Sequence, residues 1–213
     1  MFITFEGIEG SGKSLQIIRA QTYLQQKGCE CLLTREPGGT DFGKKLRKVL
    51  LDTDNCRMEP WCELLLYLAD RYQHLKEVIE PARKRGFFVL SDRYQDATRA
   101  YQGAARGIPP PEIEKLSQLL RIIEPDKTIL LDLAPEIGLR RARRRNAANP
   151  AAAAEGRFEA EDIEFHKRVR EAYLALAAQW PQRIHVVDAS ENPDEVFSRI
   201  AALLDRWVPP AKQ

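Results

Sequence analysis

The sequence predicts one α/β domain built on a parallel sheet with helices on both faces. Two observations carry that prediction. The chain opens with an apolar run, Met1-Phe2-Ile3-Thr4-Phe5-Glu6, then Gly7-Ile8-Glu9-Gly10-Ser11-Gly12-Lys13-Ser14, then a helical pattern from Leu15 onward. Beyond it, short apolar runs alternate with longer stretches of helical periodicity, as strand–helix–strand crossovers require. The 213 residues suit one such core, with no internal repeat and no Pro-, Gly- or Ser-rich linker, so residues 1–213 are expected to form a single domain.

The elements follow in order. Residues 2–6 are short, β-branched and apolar, and read as a buried strand. A helix is expected from Lys13 to Gln26, stopped by Lys27-Gly28. Residues 29–34 read as a second strand, ending in the turn-rich Arg35-Glu36-Pro37-Gly38-Gly39-Thr40. Asp41 to Leu51 is helical, with Thr40 or Asp41 as its cap. In Glu59–Arg85 the residues Trp61, Leu64, Leu65, Leu68 and Tyr72 recur at helical spacing, and Pro81 should kink or divide that helix. Residues 87–91 form a strand that delivers Asp92-Arg93-Tyr94, and residues 95–105 read as helix. A Pro-rich turn precedes a helix through Ile123, then comes the strand 127–133 and a basic helix, 135–145. Residues 146–156 break the pattern and read as a flexible flap. A helix over 158–179, a strand over 183–187, a helix over 193–207 and a frayed tail complete the chain.

Bulk properties exclude several classes. A formal net charge of +2, with 44% hydrophobic and 30% charged residues, is ordinary for a globular protein and makes no case for nucleic acid. No apolar run reaches membrane-spanning length, and the N-terminus reads as a strand, not as a signal peptide. Cys29, Cys31, Cys56 and Cys62 lack zinc-ligand spacing and are expected to be reduced thiols in the cytosol.

The chemistry starts at residues 7–14, which fit G-x-x-x-x-G-K-[ST] at every fixed position. Glycines let the backbone curl so that successive N–H groups face phosphate oxygens at a helix N-terminus. Gly7, Ile8, Glu9, Gly10, Ser11 and Gly12 would form that cradle. Lys13 would reach the β- and γ-phosphates of a nucleoside triphosphate, and Ser14 would hold Mg2+. Asp92, at a strand tip, suits an acidic partner to Ser14 acting through water. Arg93 beside it reads as a phosphate clamp or a surface ion pair. Asp70-Arg71, on a long helix, read by themselves as solvated charges. No N-K-x-D is present, which argues against a GTPase.

Four segments then carry a resemblance: Glu36-Pro37-Gly38-Gly39-Thr40, Asp92-Arg93-Tyr94, Ala100-Tyr101-Gln102-Gly103 and the basic stretch before residue 158. With the phosphate loop, in this order and spacing, they resemble bacterial thymidylate kinases over essentially the whole chain. The resemblance implies a P-loop kinase fold with a five-stranded parallel sheet and a LID at about residues 141–158. It implies transfer of the γ-phosphoryl group of ATP to dTMP with Mg2+, in a cytosolic homodimer. By position, it places Tyr67 against the thymine ring and Arg71 on the base or the acceptor phosphate. Thr98 and Gln102 would read the base edge, Tyr101 would pack under the deoxyribose, and Arg93 with Arg47 would hold the monophosphate. Glu9 would face the sugar hydroxyl and the metal, and Glu36 and Pro37 would shape the acceptor pocket. Arg99 stands where the family pattern often has a neutral polar residue.

The loop's one basic residue is Lys13, so charge on the far side of the γ-phosphate must come from elsewhere. Arg157, and after it Arg145 and Arg141, are the expected sources, the last two sharing a helix face; Arg140 and Arg144 read as solvated. Three other readings stay open: a kinase for another nucleoside monophosphate or deoxynucleoside, a nucleic-acid-stimulated ATPase using Arg140–Arg145, and a regulatory phosphate-loop switch that binds nucleotide without transferring it. The absence of aromatic residues in that patch counts against the ATPase.

Overall fold

Strand β1, Phe2–Glu6, is buried at every residue because it lies in the middle of the sheet. The computed structural model describes residues 1–149 and 153–208. The other strands are β2 (Cys31–Arg35), β3 (Phe88–Asp92), β4 (Lys127–Asp132) and β5 (Ile184–Asp188). They form one five-stranded parallel sheet in the order β2-β3-β1-β4-β5. The order reverses at β1, and the register aligns Phe5 with Asp92 on one side and with Ile129 on the other. The loop after β1 and the residues after β3 therefore leave the sheet side by side, at the end where open α/β sheets bind ligands.

Helices α1 (Lys13–Gln26), α2 (Asp41–Leu51) and α3 (Pro60–His74) match the expected spans closely. The hydroxyl of Thr40 caps α2 by accepting from Gly43 N at 2.8 Å. After α3 the helix widens into a π-helical turn, Leu75–Ile79, before the short α4, Glu80–Lys84. The wide turn sits just ahead of Pro81, which lacks an N–H and crowds the preceding turn, so the expected break takes this form. The same device follows α5 (Gln95–Thr98), where Arg99–Ala105 is π-helical. Then come α6 (Pro110–Leu119), α7 (Pro135–Ala148), α8 (Ile163–Gln179) and α9 (Pro193–Trp207). Four of these helices, α3, α6, α7 and α9, begin on a proline, whose missing N–H costs nothing there.

Three spans differ from expectation. α7 runs on to Ala148 through good helix formers, and α6 stops at Leu119, before Arg121 takes φ 52°. α8 begins at Ile163, because Asp162 caps it through Phe165 N at 2.6 Å, while Arg157 and Phe158 turn inward. Part of the alanine-rich flap, residues 150–152, and the tail, 209–213, lie outside the described residues. The main core joins Ile3, Phe5, Ile129 and Leu131 of the sheet to Ile17 and Leu24 of α1 and to Phe165 and Val169 of α8.

One buried polar cluster ties the flap base to α2 and α3. Glu63 has no exposure; its Oε2 accepts from Arg157 at 2.7 Å and its Oε1 from Gln102 Nε2 at 2.7 Å. Arg157 Nε also donates to Leu50 O at 2.6 Å. Without Arg157 the buried Glu63 carboxylate would keep, among the described residues, only the longer ion-pair contact to Arg106, at 3.4 Å. Arg157→Ala is therefore expected to cost about 3 kcal/mol in urea unfolding. A loss below about 1 kcal/mol would show that the cluster does not hold the flap base.

Candidate active site

Residues 7–12 wrap around the start of α1 with left-handed glycines: φ is 137° at Gly7, 73° at Gly10 and 91° at Gly12. At Gly10 the constraint is also steric, since a Cβ would lie 2.1 Å from Gly138 O in the first turns of α7. Lys13 folds back over the loop, donating to Gly7 O at 2.9 Å and Ile8 O at 2.8 Å. Burial, and then the Arg93 charge, push its pKa down to about 8. The Ser14 hydroxyl donates to Asp92 Oδ2 at 3.0 Å, so the two residues expected at the metal are adjacent.

A cavity of about 250 Å³ opens beside this loop. On its phosphate side, Arg93 takes φ 70° and pairs with Glu9 Oε1 at 2.6 Å. Glu9 also accepts from the Tyr101 hydroxyl at 2.7 and 2.9 Å, and His166 Nδ1 lies 3.3 Å from its Oε2. Burial opposes ionisation of Glu9, but Arg93, His166 and Lys13 together hold its carboxyl well below the usual range. The Arg93 guanidinium lies 4.8 Å from the centre of the Tyr101 ring, and that ring meets Phe158 edge-on at 5.3 Å.

On the opposite wall stands Arg71. Its Nε donates to Glu36 at 2.7 Å, its NH1 to Gln95 at 2.7 Å and Thr98 at 2.8 Å, and its NH2 to Tyr94 O at 3.0 Å. Glu36 also meets His74 Nδ1 at 2.8 Å, and Thr34 holds the other ring nitrogen at 2.6 Å. Asp70 and Arg71 are thus buried, correcting their reading as solvated charges. Asp70 accepts from Gly38 N at 3.1 Å, and burial with nearby Glu36 raises its pKa to about 6. Pro37, after a cis peptide bond, and Tyr67 also line the cavity.

The structure therefore gathers most of the expected residues into one cavity and moves two away from it. Thr98 and Gln102 line it while also serving Arg71 and Glu63. Arg47 lines it and pairs with Glu155 of the flap at 2.8 Å. Arg157, expected on the γ-phosphate, is instead 3% exposed and bound to Glu63 and Leu50 O; here it is an anchor for the flap. Arg141 donates to Ala189 O at 3.2 Å, after β5, away from this cavity. Arg145 is the flap-side arginine that lines it, and it pairs with Glu159 at 2.7 Å. Arg99, its side chain 9% exposed, turns away from the cavity to join Asp96, Glu114 and Glu124 and to lie over Trp180. Glu63, His74 and His166 carried no sequence signal, because their partners lie in distant segments.

The sequence matches the thymidylate kinase family over residues 5–200. It is 52% identical over 201 residues to the thymidylate kinase of Nitratidesulfovibrio vulgaris, covering 94% of each chain. It is 51% identical over 214 residues to that of Trichlorobacter lovleyi, covering 99% of this chain and 100% of the relative. Among solved structures, thymidylate kinase from Ehrlichia chaffeensis superposes with a TM-score of 0.76 at 31% identity, over 96% of this chain and 97% of that one. The chain belongs to the thymidylate kinase family.

Proposed function

We propose that the protein transfers the γ-phosphoryl group of ATP to dTMP, giving dTDP. The observation that carries this reading is a complete phosphate loop opening directly onto a cavity with arginines on two walls, Arg93 and Arg71. An acceptor phosphate is already a competent nucleophile near neutral pH, so the site needs alignment and positive charge more than a general base. Lys13 would neutralise the β- and γ-phosphates, and Arg93 would exchange Glu9 for the acceptor phosphate. Arg71 has committed four of its five N–H donors within the protein, which leaves one for base or phosphate. Tyr101, held by Glu9, would floor the sugar site and exclude a 2′-hydroxyl. Arg145 is the flap arginine best placed to offset charge on the transferring group.

Mg2+ suits this donor set. Among the described residues no group of three or more His, Cys, Asp and Glu side chains is arranged for a metal, as fits an ion held mainly by phosphate oxygens. Ser14 would supply a hydroxyl and Asp92 a carboxylate acting through water. Bound there, the ion would neutralise charge on the triphosphate. A homodimer fits the apolar stripe on α3, where Trp61, Leu65 and Tyr72 are exposed at helical spacing beside Phe42 and Val49 of α2. No described helix is long and apolar enough to cross a membrane. A cytoplasmic enzyme, without a nucleic-acid partner, completes the reading.

An ADP-release assay across nucleoside monophosphates tests it: dTMP should be turned over at least about a hundred-fold more efficiently than the ribonucleoside monophosphates, and Lys13→Ala should nearly abolish turnover. Equal rates across the panel, or activity without Lys13, would refute it. Arg145→Ala should lower kcat about ten-fold or more, whereas Arg157→Ala should act chiefly through stability. The reverse order would return the catalytic role to Arg157.

Lys13 also predicts a proton linkage. Its pKa in the free protein is lowered to about 8, and bound phosphates favour its cation. Above pH 8, ATP binding must therefore take up roughly one proton, and affinity must fall as pH rises through 8. Calorimetry at pH 9 in buffers of different ionisation enthalpy reads this directly. Binding without proton uptake at pH 9 would show that Lys13 is already charged in the free protein.

A further inference from the structure

Glu6, the last residue of β1, has no exposure to solvent, so it touches no nucleotide. Its carboxyl is nevertheless engaged at both oxygens. Oε1 accepts from Tyr94 N at 2.8 Å and Oε2 from the Tyr173 hydroxyl at 2.7 Å. These partners bracket Arg93: Tyr94 follows it in the chain, and the Tyr173 hydroxyl lies 3.4 Å from its NH1. Arg93 needs such support, because φ 70° is a conformation that side chains with a Cβ avoid. Its own N–H is held by Phe5 O at 3.0 Å, and its carbonyl accepts from the Ser91 hydroxyl at 2.8 Å. Two successive residues of β1 thus fix two successive N–H groups at the turn that presents the arginine.

We infer that Glu6 is a positioning residue for the acceptor phosphate, holding Arg93 in its left-handed turn and the Tyr173 hydroxyl against the guanidinium. The inference rests on the reading of Arg93 as the acceptor-phosphate clamp. A carboxyl in a dry core is costly, and an uncharged side chain would be the cheaper filling. Burial, with Asp96 adding to it, raises its pKa to about 7, while Arg93 and the Tyr173 and Tyr94 donors oppose that rise. Lys13 is the other cation coupled to it. Both partners donate, so an ionised Glu6 is paired at both oxygens even though burial disfavours its charge. Because the folded-state pKa lies above the ordinary carboxylate value, stability falls as pH rises from about 4.5 to about 7, and above that range Glu6 weakens the fold.

The test is Glu6→Gln, which keeps the volume and an acceptor for Tyr94 N but removes the charge. At pH 8 the variant should melt no lower than the parent. Its KM for dTMP should nevertheless rise about five-fold, with KM for ATP within about two-fold. Combined with Arg93→Ala, the Gln substitution should add less than about 1.5-fold to that KM. Tyr173→Phe should move KM for dTMP in the same direction by a smaller factor. An unchanged KM in Glu6→Gln, or an effect of equal size with and without Arg93, would overturn the role of Glu6. If Arg93→Ala alone left KM for dTMP unchanged, the clamp assignment would fail first, and this inference with it.

Discussion

The ion pair between Glu9 and Arg93 joins the two halves of this site, and its existence depends on the sheet. β1 and β3 are neighbours in parallel register, with Phe5 beside Asp92, so an acidic residue three positions into the phosphate loop meets an arginine just past the next strand. The Glu9 side chain is 9% exposed and the Arg93 side chain 19%, so the pair is screened only in part by solvent. Other groups then arrange themselves around it: Tyr101 donates to Glu9, Phe158 packs against the Tyr101 ring, and His166 stands with Nε2 on Phe158 O and Nδ1 3.3 Å from Glu9. The phosphate loop is thereby connected to α8 and the flap through a single carboxylate. In the proposed reaction an acceptor phosphate would take over Arg93 while the Tyr101 hydroxyl stays on Glu9.

The second wall follows a different logic. Arg71, Glu36, His74 and Thr34 form a chain of hydrogen bonds that crosses from α3 to the end of β2. Arg71, Glu36 and His74 are buried, and Arg71 is fixed by four bonds before any ligand arrives. A guanidinium prepared in this way loses little rotamer freedom on binding. The π-helical turn at 99–105 serves the same end by setting Tyr101 and Gln102 on the cavity side of an otherwise core-packed segment.

Much of this was legible in the sequence, because the responsible signals are local. Strand, glycines, Lys13 and Ser14 lie within fourteen consecutive residues, and helix boundaries at Asp41 and Pro193 carry their own caps or prolines. The alternation of strands and helices was enough for a parallel sheet. The burial of Asp70 and Arg71 was not readable from their own helix, since it is produced by Glu36 and Gly38 from another segment. The burial of Arg157 against Glu63 was unreadable for the same reason. Its partner Glu63 is 94 positions away, and an arginine in a basic, flap-like stretch looks identical whether it points at a phosphate or at a buried carboxylate. Pairings of that kind are decided by tertiary packing and leave no mark on spacing.

The central claim is that Arg93 exchanges Glu9 for the acceptor phosphate while Glu9 stays bound to Tyr101. A crystal structure of the protein with dTMP measures this most directly. The account predicts the monophosphate within hydrogen-bond distance of the Arg93 guanidinium, with the bond from Tyr101 to Glu9 intact. A structure in which Arg93 remained on Glu9 while the monophosphate lay elsewhere in the cavity would contradict it.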